Sequence, residues 1–149
     1  DDFDYVSMVT KEAFGTGTRI KTKCSFASYG APLIVLGNDF QTDTEGRLRY
    51  GLHFEVVAWE EGCNVWHILP APERTERPIK PTKIGAKTFP IAPGSRIDLE
   101  VELAQKALKI KVNGEEMTVF SEDLPETCHV GITACEGINR FSEFTVEPM

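Results

Sequence analysis

Both tryptophans of the chain lie in the stretch Tyr50–Leu69, together with two of its three histidines. Within this stretch His53, Glu55 and Trp59 are separated by even numbers of residues. Because side chains of a strand alternate between its faces, these three would share one face. A ring can take the apolar C–H face of a pyranose while an imidazole and a carboxylate bind its hydroxyls. The spacing therefore predicts a sugar-binding face.

The same stretch predicts a β-hairpin whose first arm carries apolar residues at every second position from Tyr50 to Ala58. Glu60-Glu61-Gly62 supplies the turn, and Asn64–Leu69 forms the second arm. The register of the arms decides whether Trp66 or His67 faces the sugar, and the sequence leaves this open. Trp59 is the central candidate, with a structural role at the core edge as the alternative.

Further candidate sugar-binding residues are predicted at the borders of this face. Asn64 lies near the turn, and Arg49 and Tyr50 precede the first arm. Asn139 and Arg140 belong to a predicted turn, Glu136–Arg140, that could border the same surface. The full set of candidate carbohydrate-binding residues is Trp59, His53, Glu55, Trp66, His67, Asn64, Arg49, Tyr50, Asn139 and Arg140.

Composition limits the class of protein. A chain of 149 residues fits one domain over residues 1–149, large enough to bury a core. A net charge of −7 argues against nucleic acid and anionic membranes as partners, because no basic face is available. No apolar run reaches the length that membrane insertion requires. The chain starts at Asp1 without a signal peptide, which leaves open a processed chain or a domain excised from a longer protein.

The four cysteines form no CxxC pair, so a structural zinc site is not expected. Cys24 falls in the inward phase of a strand and is predicted to be a buried thiol. Cys128 and Cys135 flank one predicted strand, which would hold them too far apart to bridge. A disulfide at Cys63 stays open, and the count does not settle the redox compartment.

No cofactor is required by any motif, but one loop could hold calcium. Asp39, Asp43 and Glu45 offer oxygen ligands at alternating positions, which is chemistry suited to this ion. A solvated turn is the alternative, and Asp2 and Asp4 form a second candidate pair. The three histidines fall in three predicted strands, where packing is their usual role.

The remaining pattern predicts about ten short strands and no long helix. Arg19–Ala27, Arg96–Leu103 and Ala107–Val112 alternate apolar and charged residues, and the acidic and basic strands should pair. Asn113-Gly114 is a strong hairpin signal. The segment Pro70–Pro93 holds six of the nine prolines and is predicted as an ordered loop or a pair of edge strands. A linker is the alternative, but Ile84, Phe89 and Ile91 are able to dock. This pattern predicts an antiparallel sandwich.

The C-terminal order RIDLEVEL, KALKIKVNGEEM and HVGITACEGINRFSEFTV resembles the concanavalin A-like (laminin G-like) jelly roll. The front half, RIKTKCSF through NVWHI, fits the earlier strands of that fold. The resemblance implies an all-β, two-sheet antiparallel β-sandwich of jelly-roll type. In size and make-up the chain is most similar to carbohydrate-binding modules of polysaccharide-degrading enzymes.

Resemblance to such modules implies a polysaccharide or oligosaccharide ligand, with xylan or β-glucan favoured and fructan second. It further implies a covalently attached glycoside hydrolase and an extracellular or cell-surface location in a bacterium. A protein-interaction domain of laminin G-like type is the alternative function, because one fold hosts many functions.

An enzyme is not expected. Laminarinase-like glucanases of this fold carry E-x-D-x-E on one strand, and retaining chemistry needs two carboxyls about 5–5.5 Å apart. Here Glu55 is followed at the corresponding positions by Val57 and Trp59. No GxSxG-like turn offers a nucleophile either.

Overall fold

The computed structural model describes residues 6–38, 41–42, 48–50, 53–71, 73 and 79–148. Within these ranges the chain forms strands and no helix, and therefore no helix long and apolar enough to cross a membrane. The strands are β1 (Val6–Val9), β2 (Phe14–Gly15), β3 (Thr18–Gly37), β4 (Gln41–Thr42), β5 (Leu48–Tyr50), β6 (His53–Trp59), β7 (Gly62–Pro70), β8 (Ile79–Thr88), β9 (Ile97–Ala104), β10 (Ala107–Val112), β11 (Glu115–Phe120) and β12 (Thr127–Pro148).

The strands form two layers joined by β3 and β12, which pair with each other and run through both. The six-stranded layer has the order β1–β12–β3–β6–β7–β8. The five-stranded layer has the order β12–β3–β9–β10–β11. All of these pairs are antiparallel, and β2 pairs with β12 while β4 pairs with β5. The predicted all-β antiparallel sandwich is confirmed.

The core lies between the layers and follows the predicted alternation. Phe26, Phe54 and Val101 are at most 1% exposed and belong to one cluster that draws on both layers. Outward positions of β9 and β10 carry charged residues, as expected for strands with one buried face. Asn113 and Gly114 have φ of 50° and 87°, the left-handed pair that a tight two-residue hairpin turn needs.

One predicted chain reversal is wrong. The sequence predicts a turn over Glu136–Arg140, but β12 continues through this segment with register shifts on either side of Gly137. Gly137 has a φ of 67°, and a Cβ there would meet the carbonyl oxygen of Tyr29 on β3. The glycine therefore bends two paired strands from one layer into the other, as bulges do, instead of ending a strand.

The proline-rich segment contains a strand. β8 pairs with β7 at the edge of the six-stranded layer, and Pro81 lies within it, where a missing N–H is tolerated. The edge-strand alternative is thus the correct one. Ile84 and Phe89 pack against the core and Ile91 is buried in it, as predicted.

The cysteines do not bridge where the structure describes them. Cys24, Cys63 and Cys128 are free and buried. Burial raises the pKa of Cys24 and of Cys63 to about 12 and that of Cys128 to about 11. These thiols are therefore protonated at neutral pH and fill the core, while the Cys135 side chain lies outside the described part.

Candidate functional site

The register of the β6–β7 hairpin decides which ring faces outward. Glu55 pairs with Trp66, and Phe54 pairs with His67. Because directly paired residues share a face, Trp66 joins His53, Glu55 and Trp59 on the outer face of the six-stranded layer. His67 lies on the inner side, where its ring stacks on Phe54 with 4.3 Å between centroids and 4° between planes. His67 therefore does not line the outer face, which corrects its place among the candidates.

Three directly paired residues lie side by side on the outer face, one on each of three neighbouring strands. Glu55 of β6 pairs with Trp66 of β7, which pairs with Lys83 of β8. The Lys83 Nζ lies over the indole, 5.3 Å from the ring centroid. Two strand spacings separate the outer members by roughly 10 Å at the backbone. We call this set, Glu55, Trp66 and Lys83, the acid–ring–base row.

The ring is fixed from below by apolar residues. Trp66 packs against the cluster of Leu33, Val35 and Val57, which are 1%, 0% and 8% exposed although they lie on the outer face. The indole itself is only half-buried. A half-buried ring with an apolar floor is a rigid platform, because packing removes its rotamer freedom before a ligand arrives.

The carboxylate of the row is also held in place. His53 Nε2 donates a hydrogen bond of 3.2 Å to Glu55 Oε2. The two side chains are 5% and 12% exposed, so this contact is largely protected from water. A carboxylate has more acceptor positions than one bond uses, so Glu55 can accept from a ligand hydroxyl while His53 orients it.

Trp59 and Asn64 continue the outer face toward the hairpin turn. Trp59 pairs with Gly62 and is half-buried, four positions from Glu55, or about 13 Å along the strand. Asn64 pairs with Val57 and is half-buried as well. Both residues share the face of the row, with Asn64 the nearer to Trp66 in sequence.

Two of the other candidates, Asn139 and Arg140, are not brought to the row. Asn139 pairs with Phe26 and Arg140 with Ser25, which places both in the β3–β12 pairing beyond the bend at Gly137. This corrects the expectation that they border the hairpin face, and the cause is the continuation of β12. The side chains of Arg49 and Tyr50 lie outside the described residues.

The calcium candidates Asp39, Asp43 and Glu45 fall outside the described residues, as do Asp2 and Asp4. Among the residues that are described, no three His, Cys, Asp or Glu side chains are grouped closely enough to hold a metal ion. The histidines are separated by function: His53 holds Glu55, His67 is interior, and the His129 Nδ1–H donates a 2.9 Å bond to the Thr10 carbonyl.

The interior histidine has an unusual electrostatic setting. Burial lowers the pKa of His67, while the Asp123 carboxylate opposes this and His53 adds to it. The Nδ1 lies 3.9 Å from Asp123 Oδ2, and within the described residues the buried Nε2 has no hydrogen-bond partner. His67 is therefore a packing residue that resists protonation.

Among the described residues, no second carboxyl lies next to Glu55 on its face of the sheet. Its described neighbours on the face are His53 and Val57 along β6, Val35 on β3 and Trp66 on β7. None of these supplies the second carboxyl that glycoside hydrolysis requires. The row can bind a ligand through a ring, an acceptor and a donor, but these neighbours supply no acid–base pair.

The outer face of the five-stranded layer holds a groove of about 470 Å³ with a different lining. Lys23 Nζ lies 2.9 Å from Glu143, Lys21 Nζ lies 3.7 Å from Glu147, and Lys109 Nζ lies 3.9 Å from Glu102. The predicted meeting of acidic and basic strands is confirmed. Each of these three lysines therefore has a carboxylate within 4.0 Å.

No family model matches the chain, and no curated protein matches its sequence. Similar solved structures include the carbohydrate-binding module CBM66 from Bacillus subtilis, with a TM-score of 0.70 and 13% identity over 99% of this chain and 83% of that one. A homodimeric agglutinin from chicken liver has a TM-score of 0.64 and 13% identity over 95% and 100% of the two chains. A toad ovary galectin in complex with thio-digalactose has a TM-score of 0.62 and 15% identity over 97% and 98%. At these identities the likeness shows the β-sandwich fold of such proteins.

Lys83 is the member of the row that the sequence does not reveal. It lies in the proline-rich segment, and a register shift between Val65 and Trp66 brings it opposite the indole. The sequence around Lys83 does not reveal this shift, because the shift depends on how β8 pairs with another strand. The apolar floor at Leu33 and Val35 does have a signal, since an unbroken apolar run is typical of a strand covered on both faces.

Proposed function

We propose that the chain is a non-catalytic carbohydrate-binding domain and that the acid–ring–base row is its binding site. The observation that carries this proposal is the placing of a half-buried indole between an oriented carboxylate and an ammonium on one sheet face. Stacking of a sugar on the ring of Trp66 would leave its hydroxyls beside Glu55 and Lys83. The names of the similar structures, which describe sugar-binding proteins, support the same function.

The binding mode follows from the rigidity of the row. Trp66 rests on a buried apolar floor and Glu55 is oriented by His53. Little side-chain freedom is lost on binding, which favours affinity. We expect a shallow site that holds part of an extended glycan, because the row crosses strands on an open sheet face.

The finer proposal concerns the ligand and the setting. We favour a plant polysaccharide such as xylan or β-glucan, with fructan as the second choice, and a covalently attached glycoside hydrolase that the domain brings to its substrate. An extracellular or cell-surface location belongs to the same proposal. The resemblance of the chain to modules of polysaccharide-degrading enzymes supports these points.

Titration of the whole chain with a glycan panel tests the function. The panel contains xylan, mixed-linkage β-glucan, levan and glucuronoxylan, with intrinsic tryptophan fluorescence and calorimetry as readouts. We expect saturable binding to one class, weakened about 5- to 30-fold by Trp66→Ala, since an aromatic contact contributes about 1–2 kcal/mol. Phe120→Ala is the matched control, because Phe120 is 76% exposed on β11 and belongs to the other layer.

The outcomes separate the candidate residues and functions. Unchanged binding by Trp66→Ala but loss by Trp59→Ala would move the site toward the hairpin turn. Absence of binding to every glycan would contradict the proposal and favour the protein-interaction alternative. Thermal unfolding of each variant checks that a lost signal reflects the site, because Trp66 also packs against Val35 and Val57.

A further inference from the structure

Lys83 lies at the β8 end of the row and is exposed. Among the described residues no carboxylate lies within 4.0 Å of its Nζ, and the contact that the structure gives it is the face of Trp66. Lys23 and Lys87, by contrast, each have a carboxylate at 2.9 Å and 3.2 Å. Lys83 therefore differs from these lysines in presenting its charge to an aromatic ring that we assign to ligand stacking.

This position creates a competition for the ring. A cation over an exposed indole contributes about 0.5–1 kcal/mol. A saccharide that stacks on Trp66 must share the ring face with the ammonium or move it aside. A neutral sugar then replaces the cation–π contact with an ordinary hydrogen bond, whereas an acidic sugar replaces it with a stronger charge-assisted one.

The two ends of the row differ in charge and in hydrogen-bonding capacity. Glu55 at the β6 end is an acceptor held by His53, and it would repel a second carboxylate. Lys83 at the β8 end offers three donors and no acceptor. A ligand acid group therefore fits only beside Lys83, with hydroxyls toward Glu55, and the separation of roughly two strand spacings leaves room for both.

We propose that the saccharide bound at the row is acidic and that Lys83 binds its carboxylate or sulfate group. This inference rests on the proposed carbohydrate-binding function and names the chemical class of its ligand. Lys83 recognises the anion by direct contact and not through the overall field of the protein. The net charge of −7 attracts no anion from a distance, and charges farther away than about 8 Å are screened at physiological salt. Lys83 is thus the specificity-determining residue of the site.

Calorimetry with one polymer in two forms tests the inference. Glucuronoxylan is compared with the same glucuronoxylan after reduction of its carboxyl groups, using the whole chain at 150 mM salt. We expect the acid form to bind about five- to tenfold more tightly, the difference between a charge-assisted and a neutral hydrogen bond. Lys83→Met should abolish this preference, because it removes the charge-assisted contact with the acid form but only an ordinary hydrogen bond with the reduced form, while the methionine keeps an apolar stem over the ring.

Lys80→Met is the matched control. Lys80 lies on the same strand and pairs with Leu69, which places it on the opposite face of β8 from Lys83. The control removes the same charge from the protein and should preserve the preference for the acid. An equal loss in both variants would mean a general charge effect and would overturn the inference.

The remaining outcomes distinguish this inference from the function on which it rests. Equal binding of both polymers, weakened by Trp66→Ala, would overturn the acidic ligand and leave the carbohydrate-binding function in place. Absence of binding to either polymer and to the neutral panel would overturn both. A sulfated xylan bound in a Lys83-dependent way more tightly than glucuronoxylan would assign the anion as sulfate, and the reverse order would assign it as carboxylate.

Discussion

The outer faces of the two layers carry their charged residues in different arrangements. On the five-stranded layer, Lys23 and Lys109 lie on strands next to acidic partners and form exposed ion pairs with them. On the six-stranded layer, the outer face has a buried apolar floor at Val35, above which one ring, one acid and one base are set in register. On the first face Lys23 and Lys109 are paired with carboxylates, whereas on the second Lys83 lies over the ring of Trp66. The 470 Å³ groove lies on the face that carries the ion pairs.

The largest expected effect comes from placing a charge on the apolar floor. Val35 is 0% exposed and pairs with Glu55, so Val35→Glu should destabilise the protein by about 3–5 kcal/mol, because it buries a second carboxylate without a partner beside the first. Lys21→Val on the five-stranded face should change stability by less than about 1 kcal/mol, because its ion pair is exposed. Urea unfolding of both variants measures the contrast.

Val35→Ala controls for lost packing in this comparison. If Val35→Glu destabilises no more than Val35→Ala, the new carboxylate reaches water and the floor is more open than the structure indicates. The two outer faces would then differ in residue type but not in burial.

A smaller effect concerns the two histidines of the hairpin, one on each side of the six-stranded layer. Burial lowers the pKa of His67 in the folded protein, so below the unfolded value of 6.5 the unfolded state binds more protons. Stability should be highest above that pH and fall as the pH decreases through it, by at most about 1.4 kcal/mol per pH unit for one proton. His67→Phe, which keeps a ring beside Phe54, should reduce this slope in unfolding curves between pH 7.5 and 5. An unchanged slope would assign the acid sensitivity to other groups.

The smallest effect is expected from the ion pair of Lys23 and Glu143 on the five-stranded layer. Lys23 and Glu143 are 35% and 65% exposed, so a double-mutant cycle with Lys23→Met and Glu143→Gln should give a coupling of about 0.2–1 kcal/mol. The coupling should decrease with added salt. Neither variant should alter glycan affinity, and a loss of binding in Lys23→Met would show that the two faces do not differ in function as proposed.

The sequence determined the parts of the structure that depend on neighbours along the chain. Alternation predicted the inward residues of β9 and β10, and Asn113-Gly114 predicted the hairpin between β10 and β11, because face and turn type are local properties. It also predicted that His53, Glu55 and Trp59 share a face. The predicted turn within β12 was wrong because a bulge and a turn both use glycine, and only pairing tells them apart.

The tertiary structure decided which strands meet and in what register. Trp66 became the outward ring and His67 an interior one because the hairpin pairs Glu55 with Trp66, and a shift by one residue would exchange them. A register shift in the β7–β8 pairing then brought Lys83 from a proline-rich segment to the same ring. Pairing between strands is a property of the packed sheet, so the full acid–ring–base row exists only in the folded protein.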